Sequence, residues 1–163
     1  MTRALPAFRP SLMTLAGALA AVLVGASLSA CGETAGGLAP GLTARMDAPG
    51  AALDRAGAIG IVNQYRSTVG ASALTGDTTL DATAQGLAAQ YASTGNAPKL
   101  PAGAVAIRVS AGYPNFAETF SGWRNSPADA SVLASSSATR AGIASVYDAK
   151  STYGVYWVLV LAS

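Results

Sequence analysis

Glu118 and Asp129 are the side chains of this sequence best suited to acid–base chemistry. Both lie in or beside the stretch SGWRNSPADASVL (residues 121–133), whose Trp, Ser and Pro residues indicate the rim of a cleft. Two carboxyl groups held at a suitable separation can hydrolyse a glycosidic bond. Alternatively, Asp129 is a solvated loop residue, or it caps the turn that begins at ADASVL. The residues themselves leave both interpretations open.

Other kinds of catalytic or metal site are excluded by residue type. The chain of 163 residues has no histidine, which rules out Ser-His-Asp and Cys-His catalysis and histidine-ligated zinc. A Ser-Lys dyad would need Lys99 or Lys150, and neither lies in an S-x-x-K motif. Glu118 and Asp129 supply too few oxygen ligands for a hard cation, and there is no glycine-rich phosphate loop. We therefore expect neither a metal nor a cofactor.

The N-terminus has the pattern of an export signal. Arg3 and Arg9 precede an uncharged apolar run over residues 11–26, which is short for a membrane span but typical of a signal peptide. Arg3 and Arg9 are two of the ten basic residues, so the rest of the chain, with eight acidic residues, is formally neutral. A neutral chain offers no electrostatic basis for binding DNA or RNA.

The end of this leader predicts a lipid anchor. Leu28-Ser29-Ala30-Cys31 resembles the lipobox of bacterial lipoproteins, in which the cysteine thiol takes a diacylglycerol; the alternative is an ordinary signal peptide beside a chance cysteine. Cys31 is the only cysteine, so it can form no internal disulfide and cannot by itself make a zinc site. Two or more acyl chains hold a protein stably on a membrane. Gly32, rather than Asp, favours the outer membrane if the cell is Gram-negative.

The sequence is predicted to consist of three segments. Residues 1–30 are the lipoprotein signal peptide, residues 31–53 are the lipid anchor and a flexible Gly/Ala/Pro-rich tether, and residues 54–163 are a folded domain. The alternative for the tether is that part of it packs on the domain. As a random coil, the tether would hold the domain about 25 Å from its anchor.

The periodicity of the domain predicts helices and strands in alternation. Apolar residues recur at helical spacing after Asp54, and again after Asp77 or Thr78 as far as Gly95. The sequence predicts a strand over residues 104–110 and a hairpin formed by segments 141–148 and 153–162. Between them it predicts a short helix, lined by Phe116, Phe120 and Trp123. The last strand is apolar on both faces, so we expect it to be central and covered by helices on both sides.

This order of elements resembles a bacterial CAP (SCP) domain, of the superfamily of cysteine-rich secretory proteins, antigen 5 and pathogenesis-related proteins. The matching segments are IVNQYRSTVGASAL (61–74), LDATAQGLAAQYASTG (80–95), VSAGYPNFAETFSGWRNSP (109–127), TRAGIASVY (139–147) and YWVLVLA (156–162). The resemblance implies an α/β fold, a three-layer α-β-α sandwich with a small central sheet. It also implies a cleft that in active members holds two histidines and two glutamates.

Most of that tetrad is missing from this sequence. The loop over residues 96–103 has no histidine, Ile107 and Arg108 stand where the family has Glu-Asn, and Asp129 stands where it has the second histidine. Glu118 matches an acidic position that is common in bacterial members. The resemblance therefore implies a preserved frame whose chemistry is largely lost.

Arg108 and the aromatic residues are candidate ligand-binding groups. Arg108 could bind an anion, or it could pair with Asp129 or Glu118; we expect all three to lie within reach of one another, because an unpaired charge in a cleft wall is costly. Trp123, with Tyr113, Phe116 and Phe120, could line a lipid cavity left uncovered by the short loop 96–103, although such spacing is also typical of a core.

These observations predict a lipid-anchored, non-catalytic binding or scaffold module of the cell envelope. The alternatives are a hydrolase of an envelope polymer that uses Glu118 and Asp129, and a carrier of a sterol-like or fatty ligand. The expected partners are the membrane, through lipidated Cys31, and an envelope component or a small apolar ligand, but no nucleic acid.

Substitution Cys31→Ser tests the anchor. The hydroxyl cannot take the place of the thiol, so the variant should leave the membrane fraction or accumulate as an unprocessed precursor. Fractionation in high salt, with gel mobility to detect processing, measures both. A variant that matures normally and stays on the membrane would show that Cys31 is not the anchor.

Overall fold

A computed structural model describes residues 38–163; the predicted signal peptide, Cys31 and the start of the predicted tether lie outside the described residues. The helices and strands of the described part follow in chain order: α1 (Pro40–Thr43), α2 (Arg55–Thr68), β1 (Thr75–Gly76), α3 (Thr78–Thr94), β2 (Ala106–Ala111), α4 (Phe116–Asn125), α5 (Pro127–Leu133), β3 (Arg140–Tyr147) and β4 (Val155–Ala162). No helix within residues 38–163 is both long and apolar enough to cross a membrane.

The strands form one mixed sheet in the order β1-β3-β4-β2. Strand β4 runs antiparallel to β3 and β2, so that Leu159 pairs with Ile143 on one side and with Arg108 on the other, while β1 is parallel to β3. Every residue of β4 is buried. The prediction of a central, doubly covered last strand is confirmed, and so is the predicted α/β fold with a helical layer on each face.

The two faces of the sheet are packed with residues of different size. Helix α3 covers one face with small side chains, Ala84 and Ala88, against Val158 and Val160 of β4. Here α3 lies so close to β3 that a Cβ at Gly142 would come within 2.1 Å of a backbone carbon of α3. The other face is covered by α2, α4 and α5, and its core is built from large side chains: Phe116, Phe120, Trp123, Leu133, Ile143, Trp157, Leu159 and Leu161.

The ends of the main helices follow from local signals in the sequence. Asp54 accepts a hydrogen bond from the N–H of Gly57 at 2.8 Å and begins α2. Asp77 caps α3, and it also accepts from Arg140 of β3 at 2.6 Å. The N–H of Leu80 and then the Arg140 guanidinium hold the pKa of Asp77 below its usual value. Gly95 ends α3 at φ 69°, the left-handed conformation that favours glycine.

Arg66, near the end of α2, is completely buried. Its guanidinium donates to the backbone carbonyls of Ser72, Leu133, Ser135 and Ala138 at 2.7–3.3 Å. Burial lowers the pKa of Arg66, although a guanidinium remains protonated at any physiological pH. Four carbonyl dipoles replace the water that burial removes.

The flexible tether predicted for residues 31–53 is wrong for its C-terminal part. Leu42 and Met46 are 3% and 7% exposed and belong to the core on the α4 side of the sheet. The N–H of Met46 also donates to the carbonyl of Pro114 at 2.8 Å. The Gly/Ala/Pro-rich composition concealed this packing, because two isolated apolar residues show no periodicity.

Three short elements, α1, β1 and α5, were not predicted, and α1 lies within the predicted tether. Strand β1 is only two residues long, and it forms through Thr75 pairing with Arg140, far away in the sequence. Helix α5 begins at Pro127, which suits the first turn of a helix, and was predicted only as a turn.

Candidate functional site

An ion pair joins two of the predicted site residues. Arg108, at the centre of β2, donates through Nη1 to Oδ1 of Asp129, in the first turn of α5. The two side chains are 24% and 28% exposed, so the pair is largely but not fully withdrawn from water. The expected pairing of Arg108 with a nearby carboxylate is confirmed for Asp129. The structure thereby rejects the solvated-loop alternative for this residue.

The Arg108 guanidinium is fixed by a second contact. Its Nε donates to the carbonyl of Ile107 at 2.9 Å, so that one planar group joins the strand backbone to α5. Partial burial lowers the pKa of Arg108, but the group stays charged because the ordinary pKa of a guanidinium is so high. The planar fork of arginine suits such simultaneous contacts.

Glu118 does not belong to this cluster, so the expectation that all three residues meet is wrong for it. Its side chain is exposed in the first turn of α4 and accepts a hydrogen bond from Nδ2 of Asn115 at 2.8 Å. Asn115 in turn accepts from the N–H of Glu118 at 2.9 Å. These contacts resemble a capping box, and the sequence N-x-x-E before an apolar helix was the signal for it.

Glu118 and Asp129 therefore have separate partners. One side chain helps to begin α4 and the other binds Arg108. Glu118 and Asn125 are seven positions apart in α4, about 10 Å along the helix axis, and α5 begins only after that. No hydrogen bond or ion pair within residues 38–163 joins the two carboxyl groups or gives them a common partner.

Trp123 is a core residue rather than a ligand-binding one. It is 2% exposed, packs edge-on against Phe116, and donates through Nε1 to the carbonyl of Val109 at 3.2 Å. Neither face of the indole is open to a ligand. The ligand-binding hypothesis for Trp123 is therefore wrong, and the core alternative is correct.

A separate groove of about 540 Å³ lies between α2 and α4. Its walls are mostly apolar, and its polar residues include Gln64, Ser121 and Arg124; the apolar lining is Leu38, Leu42, Ile61, Tyr65, Phe116, Ala117 and Phe120. The expected apolar cavity beneath the loop 96–103 is not this one, because no residue of that loop lines it. Sequence reasoning missed Ile61 and Tyr65, although their i, i+4 spacing forms a second apolar stripe on α2.

Potential metal ligands are scattered over the described residues. Within residues 38–163, no three His, Cys, Asp or Glu side chains lie together in a way that could hold a metal ion.

A double-mutant cycle should measure the Arg108–Asp129 pair. Arg108→Ala and Asp129→Ala should each destabilise the domain by about 1–3 kcal/mol, because each leaves a partly buried charge unpaired. The two losses should be less than additive when combined. Urea unfolding gives the free energies, and Arg108→Ala with Glu118→Gln is the matched control that should be additive. Additive losses for residues 108 and 129 would contradict a direct interaction.

The fold of this chain is shared by other proteins of known structure. The fold is similar to that of an outer surface protein of Borrelia burgdorferi, with a TM-score of 0.53 and 14% identity, covering 64% of this chain and 88% of the other. It is also similar to an extracellular SCP-domain protein of Bacillus anthracis, with a TM-score of 0.55 and 18% identity, covering 67% of this chain but only 40% of that protein. No curated protein matches the sequence significantly. The profile of the cysteine-rich secretory protein family, CAP, matches residues 59–161, and the chain therefore belongs to the CAP family.

Proposed function

We propose that this CAP-domain protein is a lipid-anchored component of the bacterial cell envelope that acts as a non-catalytic binding or scaffold module. The observation that carries the proposal is the Arg108–Asp129 ion pair. By the sequence resemblance, Asp129 stands where active members have the second histidine and Arg108 stands next to the position of a lost glutamate, and the whole chain has no histidine.

The ion pair leaves little acid–base capacity at this position. A general base must accept a proton during the reaction, and it works best when its pKa lies near the operating pH. Asp129 instead accepts a hydrogen bond from a permanently charged guanidinium, which favours its ionised form. Arg108 itself cannot act as a general acid, since it does not lose its proton.

The anchor in this proposal is the lipid on Cys31. Because Leu42 packs into the domain, at most the ten residues 32–41 separate the two. Even a fully extended chain of ten residues reaches at most about 36 Å, so the domain would stay within that distance of its anchor. A module held at this height suits contact with envelope material near the membrane surface.

Incubation of the purified protein with insoluble peptidoglycan tests the absence of catalysis. We expect the wild-type protein to sediment with the polymer and to release no soluble fragments. The Asp129→Asn variant should bind to the same extent and also release nothing. Binding is measured in the pellet, and release is measured as reducing sugar in the supernatant. Release that disappears in Glu118→Gln or Asp129→Asn would establish the hydrolase alternative instead.

The groove between α2 and α4 favours carriage of a fatty or sterol-like ligand as a second candidate function. Its volume falls within the usual range for small-molecule sites, and its lining is apolar with a few polar groups at the rim. In this candidate the partly exposed side chains of Ile61 and Tyr65 contact the ligand, whereas Trp123 does not line the groove.

Filling the groove should distinguish the two candidate functions. Ser121→Trp places a large ring in the groove and should reduce binding of a fluorescent fatty acid at least about tenfold. Ser131→Trp, on the exposed surface of α5, is the matched control and should bind like the wild type. Titration of the probe by fluorescence measures the affinity. Equal binding by both variants, or no binding by the wild type, would count against this candidate.

A further inference from the structure

Strand β2 is an edge of the sheet, and no strand pairs with its outer side within residues 38–163. The N–H of Gly112 donates to the carbonyl of Val155 at 2.9 Å, continuing the antiparallel register in which Ala111 pairs with Tyr156. Hydrogen-bonded and non-hydrogen-bonded pairs alternate in such a ladder. The backbone groups of Ile107, Val109 and Ala111 therefore point away from β4, towards the open edge.

Two of the outward carbonyls are already occupied by side chains. Trp123 donates through Nε1 to the carbonyl of Val109, and Arg108 donates through Nε to the carbonyl of Ile107. The donors differ in how they are held. The indole is fixed by the core, and the guanidinium is fixed by Asp129. The carbonyls of Ile107 and Val109, at the centre of this edge, thus already accept hydrogen bonds from side chains of the same chain.

An added strand would need these same two carbonyls. To pair with β2 it would have to displace a buried indole and a guanidinium that is bound to a carboxylate. Natural sheets protect their edges in comparable ways, with charged residues and covering elements. We propose that Arg108 and Trp123 close this edge against pairing with a second copy of the chain, and that Asp129 is the positioning residue that holds Arg108 in place.

The segment itself explains why a second copy is the relevant partner. Residues 104–111 read AVAIRVSA, so Arg108 is their only charged residue, and none of them is proline. Without that charge, the segment is an uncharged run rich in β-branched residues, which is the composition that pairs and aggregates most readily. Two such edges can meet antiparallel about a two-fold axis, which gives a closed dimer.

The test compares self-association of purified full-length protein in density-matched detergent by sedimentation equilibrium. Arg108→Met combined with Asp129→Ala removes the donor without leaving an unpaired charge. It should dimerise at least about tenfold more tightly than the wild type. Arg45→Met combined with Asp47→Ala, the same change at an ion pair outside the sheet, is the matched control and should remain like the wild type. A double variant with native circular dichroism and wild-type self-association would overturn the proposal.

A third substitution locates the interface. Ala111→Pro removes an outward N–H that β4 does not use, so it should block strand addition while leaving the ladder intact. Added to the double variant, it should restore the monomer. Hydrogen exchange supplies an independent readout in the double variant itself. The amides of Ile107 and Val109 should become protected as its concentration rises, and dimerisation without that protection would place the interface elsewhere and refute the proposal.

Discussion

The buried guanidinium of Arg66 joins parts of the chain that lie far apart in the sequence. Its four carbonyl acceptors belong to the loop after α2, the end of α5 and the loop that leads into β3. A charge can remain buried without a carboxylate only if hydrogen bonds replace its lost hydration. Each of these carbonyls must therefore stay in place, and the position of α5 depends on that requirement.

Helix α5 is consequently held by an arginine at each end. Arg66 binds the carbonyl of Leu133 at its C-terminus, where a positive charge is favoured by the helix dipole. Arg108 binds Asp129 in its first turn, where a negative charge is favoured. A helix of seven residues is too short to be stable by itself. The two charged contacts compensate for that by fixing both ends of the helix.

The division of the core into two kinds of packing explains where binding surfaces can form. On the α3 face, alanines and Gly142 bring helix and sheet into close contact and leave little space between them. On the other face, three helices meet over large aromatic side chains, and their imperfect fit leaves the groove between α2 and α4. The same face contains Trp123 and Arg108, which means that edge protection and any ligand binding share one layer.

Local interactions were readable in the sequence because they involve residues only a few positions apart. The caps at Asp54 and Asp77, the stop at Gly95, the doubly apolar last strand and the absence of histidine all follow from short stretches. The order of these elements was enough to show the resemblance to a CAP domain, which implied the α-β-α fold. The cap formed by Asn115 and Glu118 is equally local, since the two residues are three positions apart.

Tertiary structure decided whatever depends on distant residues. Thr75 becomes a strand only because Arg140 lies beside it, and Leu42 and Met46 leave the predicted tether because α4 and Pro114 offer them a surface. Arg108 could pair with either of two acids by sequence, and the position of α5 selected Asp129. In each case the free energy comes from burial or pairing between segments, so it exists only once the sheet has brought those segments together.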